Sequence, residues 1–201
     1  WRRLWTALAR AQHQLGLNVT QAQVDALEAK TDTIDYDVVE EKEREVRHDV
    51  MAHIHAYGLA CPSAKGIIHL GATSCYVTDN ADLILYKEAL GLIRGGIQAV
   101  LHALGAFADR YKALPAPGYT HYQPAQPLTV GRRACQWMQD LLLDLEELDA
   151  LFAAFRFLGC RGATGTEASL VALFDGDTAK IDALNQMIAK EFGFDSCYEL
   201  S

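Results

Sequence analysis

Two long runs of helix-forming residues, Ala81 to Ala113 and Leu128 to Phe157, constrain this chain more than any other feature. Both follow a helical period rather than strand alternation, and a helix of some thirty residues spans on the order of 45 Å. That is longer than a small globule needs, so the pair reads as part of a bundle that packs against further chains. Gly91, Gly95 and Gly96 are expected to loosen the first run. Trp137, Leu141, Leu145, Leu148, Phe152 and Phe155 are expected to face inward from the second. Between the two lies LPAPGYTHYQPAQP, broken by prolines, and its Pro127 suits the first turn of the second helix.

Upstream, Trp1, Leu4, Trp5 and Leu8 form one stripe of a first helix that ends near Gly16. A chain that opens inside an amphipathic helix reads as a piece of something longer. Thr20 and Gln23 spell a capping box for a second helix reaching about Lys30. Asp35 or Asp37 caps a third, whose VVEEKEREV stretch is an exposed, self-paired face. HDVMAHIHAYGLA continues as a fourth helix, closed by Pro62. Cys61 to Asn80 has no stable period and reads as a long functional loop. GCRGATGTEAS is a glycine-rich turn, followed by helices to about Phe192. The expected fold class is all-α, with room for short strands in the loops. A helical domain over 1–73 precedes the first part of a long-helix bundle over 74–201.

The formal net charge is −8, with acidic residues spread over many helical faces. Nucleic acid and anionic membranes demand clustered cations, so neither is an expected partner. A small anionic substrate needs only two or three local cations and stays compatible. Cys61, Cys75, Cys135, Cys160 and Cys197 are odd in number and far apart, which fits reduced thiols in the cytoplasm and no cysteine zinc site. No segment reads as apolar for the length of a membrane span, and no signal peptide is visible. The sequon Asn18-Val19-Thr20 is taken as a chance match.

Reactive side chains concentrate in RHDVMAHIH, HLGATS and YTHYQPAQP. His48, His53 and His55 do not share a helix face, and HExxH is absent, so no metal is expected. Asp49 and His53 are four apart, close enough to interact. Arg47, His48 and Asp49 bring a donor, a titratable group and an acceptor to one helix boundary, although a polar helix start would look the same. His69 precedes Gly71, Thr73 and Ser74, small and hydroxyl residues suited to binding a carboxylate or phosphate. His121 stands among Pro117, Pro124 and Pro127 with Thr120 and Gln123 beside it. A rigid mount of that kind can hold a general acid or base, or simply pack a histidine between helices. Nucleophile elbow, Walker loop and dinucleotide fingerprint are all missing. The residues therefore favour proton transfer without a cofactor.

Taken in order, RHDVMAH, GIIHLGATSCYV-DN, TH-QPAQ, VG-R and TGT-AS resemble the adenylosuccinate lyase family of the fumarase/aspartase superfamily, closest to its animal-type branch. The resemblance runs from Trp1 to about Phe194. It implies homotetramers with a core of long helices and active sites built by three chains. It also implies β-elimination of fumarate from adenylosuccinate, giving AMP, and from the succinylaminoimidazole-carboxamide ribotide of purine synthesis. Carried over by motif, His121 is the general acid that protonates the departing nitrogen. His48 contacts substrate, flanked by Arg47 and Asp49, while Thr73 and Ser74 hold the succinyl part and Thr120 sits beside the acid. His69 and Gln123 are supporting positions, and no cofactor is implied.

Two departures matter. The family's base is a serine in a loop reading approximately SSxMPxKxNP, which does not occur here, and the family's phosphate-contacting arginine and tyrosine are missing before Trp1. The 201-residue chain alone is therefore expected to have no appreciable lyase activity. A smaller departure is Glu167, where the family usually has Gln. A carboxylate near an anionic substrate is costly unless it is paired or points away. Argininosuccinate lyase or fumarase is the neighbouring alternative, and a non-catalytic helical oligomerisation module the distant one.

Overall fold

The structure, a computed structural model, describes residues 1–200. Among the described residues the regular elements are eight α-helices, one short 3-10 helix (Pro62–Ala64) and one β-hairpin, so the all-α expectation holds with a small two-stranded sheet added. By contacts the chain divides into two compact units, one formed by 1–84 with 156–201 and the other by 85–155. Ser74, where the sequence reading begins the long-helix part, is the first residue of the longest helix, whereas the division by contacts falls at 84/85 and 155/156.

In the first unit, α1 (Arg2–Gln14) turns Leu4, Trp5 and Leu8 into a fully buried stripe and packs on α2 (Gln21–Glu28) and α8 (Thr178–Glu191). The capping box is present as spelled: the Gln23 N–H donates to Thr20 Oγ1 (3.3 Å) and the Thr20 N–H donates to Gln23 Oε1 (3.0 Å). Asp35, rather than Asp37, caps α3 (Tyr36–Val46), accepting from the Val38 N–H. Helix α4 (Asp49–Ala60) packs back on α3, and Ala52 and Ala56 meet Val39 in a small core. Short helix α7 (Ala168–Leu173) and α8 follow the glycine turn.

The long loop is shorter than its lack of period suggests. Helix α5 (Ser74–Arg110) begins seven residues before Ala81, because Tyr76, Val77 and Asn80 bury on one face and no glycine or proline interrupts SCYVTDN. Nor do Gly91, Gly95 and Gly96 break it; α5 stays helical throughout. Each glycine costs about 1 kcal/mol against alanine, and the surrounding leucines, isoleucines and alanines carry that cost. Contrary to the sequence reading, α5 is long and apolar enough to cross a membrane by length and composition, with an 18-residue window of mean hydropathy 1.3. Its leucines, isoleucines, valines and alanines set that average, interleaved with glycines and polar residues rather than forming one unbroken apolar run.

In the second unit, β1 (Pro115–Thr120) pairs antiparallel with β2 (Gln123–Thr129), and α6 (Val130–Ala154) follows directly. Pro127 pairs with Pro117 inside this hairpin instead of opening the helix, whose N-cap is Thr129, accepting from the Arg132 N–H. Prolines are tolerated because a two-stranded sheet has only edges. The pairing shifts register at Gly118, where an added Cβ would lie 2.9 Å from both the Gln126 carbonyl oxygen and Leu128 Cδ2. Helices α5 and α6 are antiparallel, and at Gly131 the missing side chain leaves room for the Ala108 carbonyl of α5 and the Lys112 backbone just beyond it. Along α6 the less exposed positions are Gly131, Ala134, Met138, Leu141, Leu145, Leu148, Phe152 and Phe155, alternating spacings of three and four. Trp137 falls off this stripe and is 52% exposed, a correction to the inward set. Arg94 pairs with Asp149 across the helices at 2.6 Å.

Candidate active site

In the first unit, the α3–α4 junction is two residues long. Arg47 ends α3 in the left-handed conformation (φ 52°), and His48 opens α4 as its N-cap. The sequence thus puts Arg47, His48 and Asp49 on a sharp corner rather than along a helix face. The Met51 N–H donates to His48 Nδ1 (3.4 Å), which assigns the ring proton of the neutral form to Nε2. That nitrogen faces Ser74 Oγ at 3.4 Å, so Ser74 accepts from His48 and keeps its own proton for a ligand. Asp49 Oδ1 lies 3.5 Å from His48 Nδ1 and accepts from the Val50 N–H.

Thr73 stands next to Ser74 but is engaged differently. Its hydroxyl donates to the Arg161 carbonyl (3.0 Å), tying the start of α5 to the glycine turn. A bound carboxylate gains Thr73 as a donor only by taking that proton from Arg161. Residues of the turn, Cys160 to Glu167, line a cleft of about 260 Å³ together with Gly71, Thr73 and Ser169. Glu167 is the pairing case anticipated from sequence: its Oε1 accepts from Asn185 Nδ2 (2.8 Å) and faces Arg161 Nε at 3.5 Å. Burial pushes the Cys160 thiol up to about 12, so it is no nucleophile near neutrality.

His69 belongs to the same unit but is held from below. The buried Trp5 indole N–H donates to its Nδ1 at 2.9 Å. Burial, and then the proximity of His48, lowers its pKa below the ordinary histidine value. The unfolded chain therefore takes up a proton before the folded one. The His69 contribution to stability is present above about pH 6.5 and is lost as pH falls below that value. The expected result is a melting temperature that drops below that pH in the wild type and drops less in Trp5→Phe, measured by circular dichroism. His53 is likewise lowered by burial, then by Arg2, and packs edge-on against Trp1 (4.9 Å between centroids). No group of three or more metal-ligating side chains occurs among the described residues.

In the second unit, His121 and Tyr122 are the two turn residues of the hairpin, between the paired Thr120 and Gln123. Both have positive φ, 52° and 62°, the arrangement of a type I′ turn. Asn-Gly is the usual sequence there, and a side chain other than glycine in that conformation costs about 1–3 kcal/mol. Strain of that size at the tip of a hairpin points to function rather than packing. His121 is exposed, which removes the packing alternative within its own unit. Arg133 Nη2 donates to the Pro117 carbonyl (3.1 Å) and steadies the hairpin against α6.

Sequence reasoning missed the polar side chains that hold these segments. Asn80 is fully buried; its amide donates to the Tyr76 and Gly159 carbonyls (2.8 and 3.0 Å) and accepts from the Leu158 N–H (2.9 Å). Asn185 and Arg161 act similarly on the glycine turn. Asn80 carries a faint signal, as a polar residue on the face that Tyr76 and Val77 bury. Asn185 has none, because its partners lie 18 and 25 residues away.

A family model described as Lyase matches residues 2–192, and the chain belongs to that lyase family. Within it, the chain is similar to adenylosuccinate lyases. That of Schizosaccharomyces pombe is 48% identical over 204 residues, covering 100% of this chain and 42% of that protein. The Schistosoma mansoni enzyme is 46% identical, over 96% of this chain and 41% of that protein. An archaeal adenylosuccinate lyase, from Pyrococcus abyssi, is 33% identical over 81% of this chain and 36% of its own length. The chain thus spans about two fifths of the relatives it matches. Its fold is that of a fumarate lyase from Mesorhizobium sp. BNC1 (TM-score 0.85, 24% identity, 100% of this chain and 46% of that one). It is also that of the beta-carboxy-cis,cis-muconate cycloisomerase from Acinetobacter calcoaceticus sp. ADP1 (TM-score 0.80, 24% identity, 100% and 46%).

Proposed function

We propose that the protein containing this chain is an adenylosuccinate lyase, releasing fumarate by β-elimination from adenylosuccinate to give AMP. The same chemistry extends to the succinylaminoimidazole-carboxamide ribotide. The observation that carries this reading is the 48% identity to an adenylosuccinate lyase over the whole chain. Local geometry supports it. His121 is displayed at a strained, proline-braced turn, as a general acid must be to reach a departing nitrogen. Ser74, accepting from His48, offers its proton to a succinyl carboxylate, whose extra negative charge in the transition state such donors stabilise. Arg47, Asp49, Thr73 and Thr120 complete the substrate-binding set, with His69 and Gln123 in support.

The serine loop that carries the base in the family is not among these 201 residues, so the chain alone is expected to release no fumarate. A homotetramer fits the exposed apolar side chains of the second unit: Leu85, Leu92 and Ile93 on α5, with Trp137, Leu143 and Leu151 on α6. Burial of these side chains against partner subunits also accounts for the apolar character of α5 without a membrane. Five free thiols support a cytoplasmic setting. Ligand-linked stabilisation tests the substrate assignment on the full-length protein. Adenylosuccinate is expected to raise its melting temperature in a concentration-dependent way while argininosuccinate leaves it unchanged. The reverse order would overturn the assignment.

A further inference from the structure

The glycine turn beside Thr73 has both ends gripped by one side chain of α8. Asn185 Oδ1 accepts from the Cys160 N–H at 2.7 Å, and its Nδ2 donates to Glu167 Oε1 at 2.8 Å. Between these points the turn closes on itself, with the Gly162 N–H donating to the Thr166 carbonyl at 2.6 Å. Gly159, just before it, has φ 78°, and an added Cβ there would lie 3.0 Å from Asn185 Oδ1, so the backbone is brought up against the amide. Arg161 is fixed within the same clamp: its Nη1 donates to the Tyr198 carbonyl at 2.6 Å and its Nε faces Glu167. The carbonyl of Arg161 in turn accepts from Thr73 Oγ1. One path of hydrogen bonds thus runs from α8, through Glu167 and residues 160–161, to a hydroxyl assigned to the substrate.

We propose that Asn185 is a positioning residue for the lyase reaction, holding both ends of the Cys160–Glu167 turn so that the Arg161 carbonyl sets the orientation of Thr73. The inference rests on the adenylosuccinate lyase reading and extends it to a residue that does not touch substrate. It also explains Glu167. With Asn185 at the facing position, a carboxylate accepts from the amide and from Arg161, and needs no substrate contact to be satisfied.

Donor and acceptor in this pair can be exchanged, which gives the test. Asn185→Asp alone sets two carboxylates against each other, with only the Arg161 guanidinium between them. The other titratable groups around Glu167 are the thiols of Cys160 and Cys197, both raised by burial and neutral near pH 7. In full-length protein, Asn185→Asp is expected to raise KM for adenylosuccinate about tenfold, a typical size for coupling between contacting polar residues. The loss should grow with pH as the shared proton leaves the carboxylate pair. The double variant Asn185→Asp with Glu167→Gln restores one donor and one acceptor. It is expected to return KM to within about threefold of wild type and to remove the added pH dependence. If Asn185→Asp does not fold, the double variant decides alone: folded with near-normal KM supports the clamp, folded with the defect refutes it. Asn185→Asp with wild-type KM at every pH would also refute it. An inactive wild type would instead overturn the reading of the reaction, and this inference with it.

Discussion

Full-length protein carrying His121→Gln is expected to turn over adenylosuccinate about 10³-fold more slowly than wild type, the usual contribution of one well-placed proton donor. Glutamine can still hydrogen-bond but has no proton to give near neutral pH, so kcat falls while KM stays within a few fold. Stability should hardly change, because His121 is exposed and glutamine meets the same positive φ of 52° at similar cost. Steady-state fumarate release measures the first effect and thermal melting the second. A kcat within about threefold of wild type would remove His121 from the role of acid.

The second large effect is on folding. Asn80→Ala deletes three hydrogen bonds inside the first unit and leaves the Leu158 N–H and two carbonyls without their buried partner. Unsatisfied groups of this kind cost about 1–3 kcal/mol each, partly relieved by relaxation, so a loss of about 3 kcal/mol is expected. For a chain of this size that lowers the melting temperature by about 10 °C. Asn80→Asp keeps the acceptor for Leu158 but turns both donors into repelled acceptors, and should be no better. A drop below about 2 °C in either variant would show that the joint between α5 and residues 158–159 is held by something else.

What the sequence made legible follows from how local each signal is. The capping box at Thr20, the helix at Trp1 and the stripe of α6 are written in residues three or four apart, and each is present in the structure. The start of α5 was not legible, because Ser74 to Asn80 is helical by virtue of what Tyr76, Val77 and Asn80 bury against. Trp137 was assigned inward with Leu141, four residues on, while the packing stripe runs through Ala134 and Met138. Motif spacing singled out His48, Ser74 and His121 as candidates. The geometry added what spacing cannot carry: His121 in a left-handed turn, Thr73 with its proton already committed, and Glu167 accepting from Arg161 and Asn185.

In the proposed reaction the hairpin of the second unit carries the acid, His121, and the first unit carries the hydroxyls proposed to bind the succinyl carboxylate, Thr73 and Ser74. The most direct measurement is product identification from full-length protein incubated with adenylosuccinate. The account predicts fumarate and AMP in equal amounts from the full-length protein and neither from the 201-residue chain alone. Full-length protein that binds adenylosuccinate and leaves it intact, or a 201-residue chain that cleaves it, would contradict the account.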